Sequence, residues 1–152
     1  MTTALLAIAL LIVLNGLFAM TELAIMTARK PRLAAAAAQG NRAAEAALQL
    51  SREPSRFLST IQIGITLIGI LAGAFGEKSL SAPLEALYAR VPLLAPHADT
   101  PALATVVIAI TYFSLVIGEL IPKRLAIAFP EAMAMLLARP VALLSVLAAI
   151  PV

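Results

Sequence analysis

The 152 residues contain no cysteine and a single histidine, His97. The first absence excludes disulfides, thiolate metal sites and thiol redox chemistry, and the second excludes a histidine-built metal cage, so a bound metal would have to be hard and oxygen-ligated. Charge is also scarce: 12% of residues are charged, against about 25% in a soluble domain. The net charge of +3 is small and sits beside hydrophobic runs, which argues against nucleic acid as a partner. No nucleophile, base and orienting group fall into a catalytic pattern, so the chain is not expected to be an enzyme. His97 lies in a proline-rich stretch and is expected to be a solvated loop residue.

What the sequence does hold is apolar. With 62% hydrophobic residues and a mean hydropathy of +1.00, it describes a membrane protein of one domain, all-α, whose helices meet through small residues and internal polar contacts. Three runs are long enough to cross the bilayer, which needs about 20 residues. They cover residues 3–28, 57–75 and 102–121. The first is taken as a mature helix rather than a signal peptide, because no basic residue precedes it and Asn15 and Glu22 interrupt it. Between the first two runs, residues 31–54 are predicted to form two short helices outside the bilayer. Pro31 suits a helix start, Gly40-Asn41 a stop and turn, and Pro54 follows the second helix. Residues 77–100, with Pro83, Pro92 and Pro96, are predicted to be a loop with one short amphipathic helix near 80–89. The last apolar segment, 131–152, is broken at Pro140 and is predicted to lie along the membrane rather than to cross it. The absence of a polar tail after it is expected of a transmembrane domain cut from a longer chain.

Residues 29–56 carry six Lys and Arg, whereas residues 77–100 carry only Lys78 and Arg90. The positive-inside rule then places the helical hairpin in the cytoplasm and the amino terminus outside. With no organellar targeting segment, a bacterial inner membrane is the expected location.

Polar groups inside the runs carry the functional signal. A carboxylate in hydrocarbon is costly unless paired, hydrated or neutralised, so Glu22 and Glu119 mark a cation-handling site. Asn15 lies two turns from Glu22 on the same face, beside Thr21. In the second run Gln62, Thr66, Gly69 and Gly73 share a face, expected to be a packing seam. In the third, Thr111, Ser114, Gly118 and Pro122 share a face. Pro122 has no N–H, so the Gly118 carbonyl loses its helical partner and becomes available to a cation. Glu119 and Lys123 stand four apart in the favourable order for an ion pair. Together these oxygens form a hard-cation set suited to Mg2+, Ca2+ or Na+. The other reading of the same residues is a proline kink and a polar seam that only hold helices together.

Three strings carry a resemblance: Asn15-Gly16-Leu17-Phe18-Ala19-Met20-Thr21-Glu22-Leu23-Ala24, Thr60-Ile61-Gln62-Ile63-Gly64-Ile65-Thr66-Leu67 and Gly118-Glu119-Leu120-Ile121-Pro122-Lys123. In order and spacing they resemble the CorC/CNNM membrane domain, also called hemolysin-related, over nearly the whole chain. The resemblance implies a homodimer in the lipid bilayer with three transmembrane helices per subunit. It also implies a pair of short cytoplasmic helices, a juxtamembrane belt helix, and cytoplasmic CBS modules in a full-length chain. The activity implied is Mg2+ export, with Na+ as the coupling ion, and the ligands implied are Thr21, Thr66, Gly118 and Glu119. The sequence departs from magnesium-transporting members, which resemble Gly-Asn-Thr-Leu-Val-Asn on the second helix, at Ile65 and Gly69, where both amides are lost. An exporter of organic cations such as polyamines, and a non-transporting scaffold or sensor, are the other readings.

The charge bias generates a test. Single cysteines introduced at Ala38 and Ala86 should be distinguished in intact cells by an impermeant maleimide, with position 86 labelled and 38 protected. Labelling at 38 alone would reverse the orientation.

Overall fold

The computed structural model describes residues 2–147. Its helices are α1 (Thr2–Thr27), α2 (Lys30–Ala38), α3 (Arg42–Arg52), α4 (Pro54–Tyr88), α5 (Asp99–Leu115), α6 (Ile121–Ala128) and α7 (Pro130–Leu147). A five-residue π-turn, Val116–Leu120, joins α5 to α6, and a 3-10 turn spans Ala95–His97. Thr2–Thr27, Phe57–Tyr88 and Asp99–Ala128 are long and apolar enough to cross a membrane. The described residues are all-α, with three candidate spans, as the sequence predicts.

The hairpin forms where the sequence places it. Gly40 adopts φ +85°, a backbone that a residue with a Cβ rarely adopts, and so closes α2. Asn41 then caps α3: its Oδ1 accepts from Ala43 N at 3.0 Å and Ala44 N at 3.2 Å, satisfying two donors that the first helical turn leaves free. The same side chain reaches α7, where Nδ2 meets Met135 Sδ at 3.6 Å. Arg32 pairs with Glu131 at 3.7 Å. The hairpin and α7 are therefore clamped together at the carboxyl end of α1.

That end also holds the main core. Ala24 and Ile25 of α1, Leu33 of α2, Ala47 of α3, Phe57 and Ile61 of α4, Ala126 of α6, and Ala134, Leu137, Ala138 and Val141 of α7 form one buried cluster. The α7 members recur at i, i+3, i+4, i+7, the stripe an amphipathic helix buries. The small residues let six helices converge. The opposite surface of each span is covered with exposed large side chains such as Leu6, Leu10, Ile63, Ile70, Ile108 and Tyr112, an arrangement suited to lipid rather than water.

Two prolines do not break helices as the sequence predicts. α4 runs on to Tyr88 with Pro83 inside it, so the loop expected from residue 77 is confined to the ten or so residues before α5. Packing against α5 holds the extension. Gly76 faces Ile110 so closely that a Cβ there would overlap its Cδ1. Tyr88 Oη lies 2.9 Å from Thr105 Oγ1; because the Thr105 hydroxyl itself donates to Pro101 O at 2.7 Å, Tyr88 is the donor. Likewise α7 is continuous through Pro140. Pro140 and Leu136, whose carbonyl it deprives of a partner, are both exposed, while Leu137, Ala138 and Val141 stay anchored in the core. The expected end of this segment at residue 152 lies outside the described residues.

The expected seam on the second span is not a packed surface within the chain. A Cβ built on Gly69 or Gly73 meets nothing within 4 Å, and Gln62 and Thr66 are exposed. The close approach is elsewhere: a Cβ on Gly16 would stand 2.9 Å from Pro122 Cγ and 3.2 Å from Ile117 O, and one on Gly118 3.2 Å from Ile12 O. Glycine is required where two helices come this near, as in other membrane helix pairs. Gly16→Val should therefore cost about 1–3 kcal/mol of stability in lipid or detergent through overpacking, whereas Gly69→Ala should change it by less than about 0.5 kcal/mol. Equal melting temperatures for the two variants would contradict the assigned contact.

Candidate cation site

The third span is where helical regularity fails, and Pro122 is the local cause. Having no N–H, it cannot donate to the carbonyl of Gly118, four residues before it. The turn just upstream widens to π geometry over Val116–Leu120, with Ile121 N–H bonding Val116 O. The Gly118 carbonyl is not left to a cation alone. Asn15 of α1 donates Nδ2 to it at 3.0 Å. Gly16 and Gly118 bring the two backbones close enough for this short amide to reach.

The π-turn also changes which side chains share a face. One extra residue in a turn shifts the phase of the helix. In a regular helix Thr111, Ser114, Gly118 and Pro122 would form one stripe; instead Thr111 and Ser114 line a cavity, while Gly118 and Pro122 are buried and face α1 at Ile12, Asn15 and Gly16. Glu119, five residues after Ser114, is brought round beneath it onto the cavity wall.

α1 packs closely against α4, the π-turn and α6 but hardly touches α5. The separation leaves a cavity of about 270 Å³. Its polar groups are Asn15, Thr111, Ser114 and Glu119, and its remaining walls are Gly69, Gly73, Val106, Val107, Ile110 and Leu115. Glu119 is its only ionisable lining residue. That carboxylate also accepts from Lys123 Nζ, Oε1 to Nζ 2.6 Å, with the Glu119 and Lys123 side chains 41% and 36% exposed.

Of the residues singled out in the sequence, the structure thus brings Asn15, Ser114 and Glu119 to the cavity, Gly118 and Pro122 to the α1 contact behind it, and Lys123 to the carboxylate. Others stand apart. Thr21 is buried and donates to Leu17 O at 2.7 Å within its own helix. Thr66 is exposed and donates to Gln62 O at 2.8 Å. Glu22 is half-buried, two turns beyond Asn15 toward the hairpin, and does not line the cavity. Ile65 packs against the core, so of the two positions that depart from magnesium-transporting members only Gly69 borders the cavity. Among the described residues no three His, Cys, Asp or Glu side chains are grouped to hold a metal ion. Sequence reasoning missed the π-turn and the apolar wall of Val106, Val107, Ile110 and Leu115; neither leaves a mark in hydropathy, because the whole helix is apolar.

Three spans long and apolar enough to cross a membrane, with a cavity between α1, α4 and α5 that carries four polar side chains, define a membrane domain. Its family follows from comparison. Residues 5–151 match the CNNM profile, the cyclin M transmembrane N-terminal domain, and the chain belongs to that family. Among curated relatives, the UPF0053 protein sll0260 of Synechocystis sp. is 51% identical over 80% of this chain and 27% of its own length. The UPF0053 protein YhdP of Bacillus subtilis is 36% identical over 90% of this chain and 31% of its own. A polyamine export protein of Haemophilus influenzae is 32% identical over 86% of this chain and 30% of its own. The chain thus spans less than a third of the length of these relatives.

The Asn15 bond can be weighed by a double-mutant cycle. Asn15→Ala leaves the Gly118 carbonyl without its amide and should cost about 1–3 kcal/mol. Pro122→Ala supplies an N–H at the position a regular helix would use, so in the Asn15→Ala background it should recover stability that it does not add to the parent. Additive effects of the two changes would show that they do not share that carbonyl.

Proposed function

We propose that this domain forms the solute path of an exporter of small organic cations of the polyamine class. One observation carries the reading: a single carboxylate, Glu119, faces a cavity of about 270 Å³ whose other walls are hydroxyls, one amide and smooth apolar surface. A polyamine needs those two kinds of surface in alternation. An ammonium donates to Glu119, and a further ammonium finds acceptors in the Thr111 and Ser114 hydroxyls and the Asn15 carbonyl oxygen. The methylenes between them lie against Gly69, Gly73 and the Val106, Val107 and Ile110 side chains. The volume is just under the roughly 300–1,000 Å³ of pockets for drug-sized ligands, a size that suits a slender chain.

Mg2+, the ion implied by resemblance to magnesium-transporting members, fits this geometry less well. It demands near-octahedral oxygen coordination at about 2.0–2.1 Å. Thr21 and Thr66 satisfy their hydroxyls within their own helices, and the Gly118 carbonyl already accepts from Asn15. The name of the Haemophilus relative, and of an Escherichia coli polyamine export protein 28% identical over 92% of this chain, supports the organic-cation reading. Export itself, the coupling to Na+, a homodimer and cytoplasmic CBS modules belong to the same proposal.

In proteoliposomes the protein should move spermidine and leave Mg2+ in place. Glu119→Gln, which keeps the shape and removes the charge, should lower spermidine flux about tenfold or more. Mg2+ flux without spermidine flux would overturn the substrate assignment; flux of neither would favour a scaffold.

A further inference from the structure

Glu119 stands between the cavity and Lys123 along the helix. Its residue lines the cavity, but Lys123, which holds its Oε1 at 2.6 Å, is not among the lining residues. The lysine reaches the carboxylate from one turn further along the helix, toward the hairpin end. A solute in the cavity would reach the same carboxylate from the Ser114 side, one turn earlier. Lys123 is also chemically a copy of the solute proposed above: a primary ammonium with three donors at the end of a methylene chain.

We propose that the Lys123 ammonium and a solute cation are alternative partners for the Glu119 carboxylate, so that Lys123 is the residue that sets both affinity and release. The exchange has a physical advantage in a bilayer. A bare carboxylate there is costly, and replacing one ammonium by another leaves Glu119 compensated at every stage. A freed Lys123 can carry its charge along its flexible four-carbon stem toward the membrane surface. Because the incoming and displaced groups are alike, the exchange is close to balanced, which permits release as well as capture. This role rests on Glu119 being the cation-binding carboxylate, but not on the cation being a polyamine.

The expected signature is an opposite response to two substitutions of one side chain. Lys123→Gln removes the competitor and should tighten spermidine binding about threefold while lowering the maximal efflux rate, because release loses its counter-ion. Lys123→Arg places a planar, bidentate fork on the same carboxylate and should weaken spermidine binding about threefold. Lys123→Met, which keeps the stem and suits an apolar setting, repeats the first test if Lys123→Gln does not fold. Binding of spermidine, Mg2+ and Na+ to each purified protein would be measured in parallel with efflux from proteoliposomes. Tighter binding by Gln or Met and weaker binding by Arg supports the competition, whichever of the three cations shows it. If only Mg2+ shows that order, the polyamine reading fails and the role of Lys123 stands. If spermidine binds and moves but all variants share the parent's affinity, or all are weakened alike, Lys123 is a structural partner and the inference is overturned. Binding of none of the three cations to any of the proteins overturns both.

Discussion

The structure depends on one carbonyl that has lost its regular helical donor. Pro122 removes the donor that Gly118 would have used, and Asn15 of α1 replaces it at 3.0 Å. An unpaired carbonyl in a low-dielectric interior costs about 1–3 kcal/mol, so the helix carrying Gly118 must lie where the amide can reach it. Gly16 and Gly118 make that approach sterically possible. Holding α1 against the π-turn and α6 while α5 leans on α4 opens the wedge between α1 and α5 that becomes the cavity. The same turn rotates Glu119 onto the cavity wall.

Stability and access are divided along the bundle. The hairpin, α7 and the adjoining ends of α1, α4 and α6 form a continuous core in which alanines alternate with larger apolar residues, tied by Asn41, Met135, Arg32 and Glu131. The cavity half has fewer buried contacts: within α5 only Ala102 and Val106 are buried. Regions with few buried contacts are those that open most readily, which on the proposed function suits a half that admits and releases a solute while the other half keeps the helices in register.

Much of this was legible in the sequence. Hydropathy located the three spans, Gly40-Asn41 located the hairpin turn, and Pro122 four residues after Gly118 identified the carbonyl that needs another partner. Asn15, Ser114 and Glu119 stand out in the sequence as polar residues inside apolar runs, and the structure brings all three to one cavity. The errors have physical causes. Pro83 and Pro140 carry an intrinsic helix-breaking tendency, but tertiary packing on α5 and on the core overrides it. Gly69 and Gly73 share a face expected to be a packing seam; within one chain that face is open and borders the cavity, and its packing against a second copy belongs to the homodimer proposed above. Glu22, Thr21 and Thr66 share motifs with the site without sharing its space. The π-turn is invisible in the sequence, since i, i+3, i+7 spacing describes a regular helix and one extra residue in a turn changes which side chains align.

On the proposed function, this turn presents Glu119 to a cation inside the cavity. Solid-state NMR on the protein in lipid bilayers, with 13C-labelled glutamate and 15N-labelled spermidine, measures that contact without relying on flux. A dipolar coupling corresponding to an ion pair with N···O within about 4 Å, assigned to Glu119 by its loss in Glu119→Gln, is the predicted result. A coupling that persists in that variant, or that belongs to Glu22, would contradict the account.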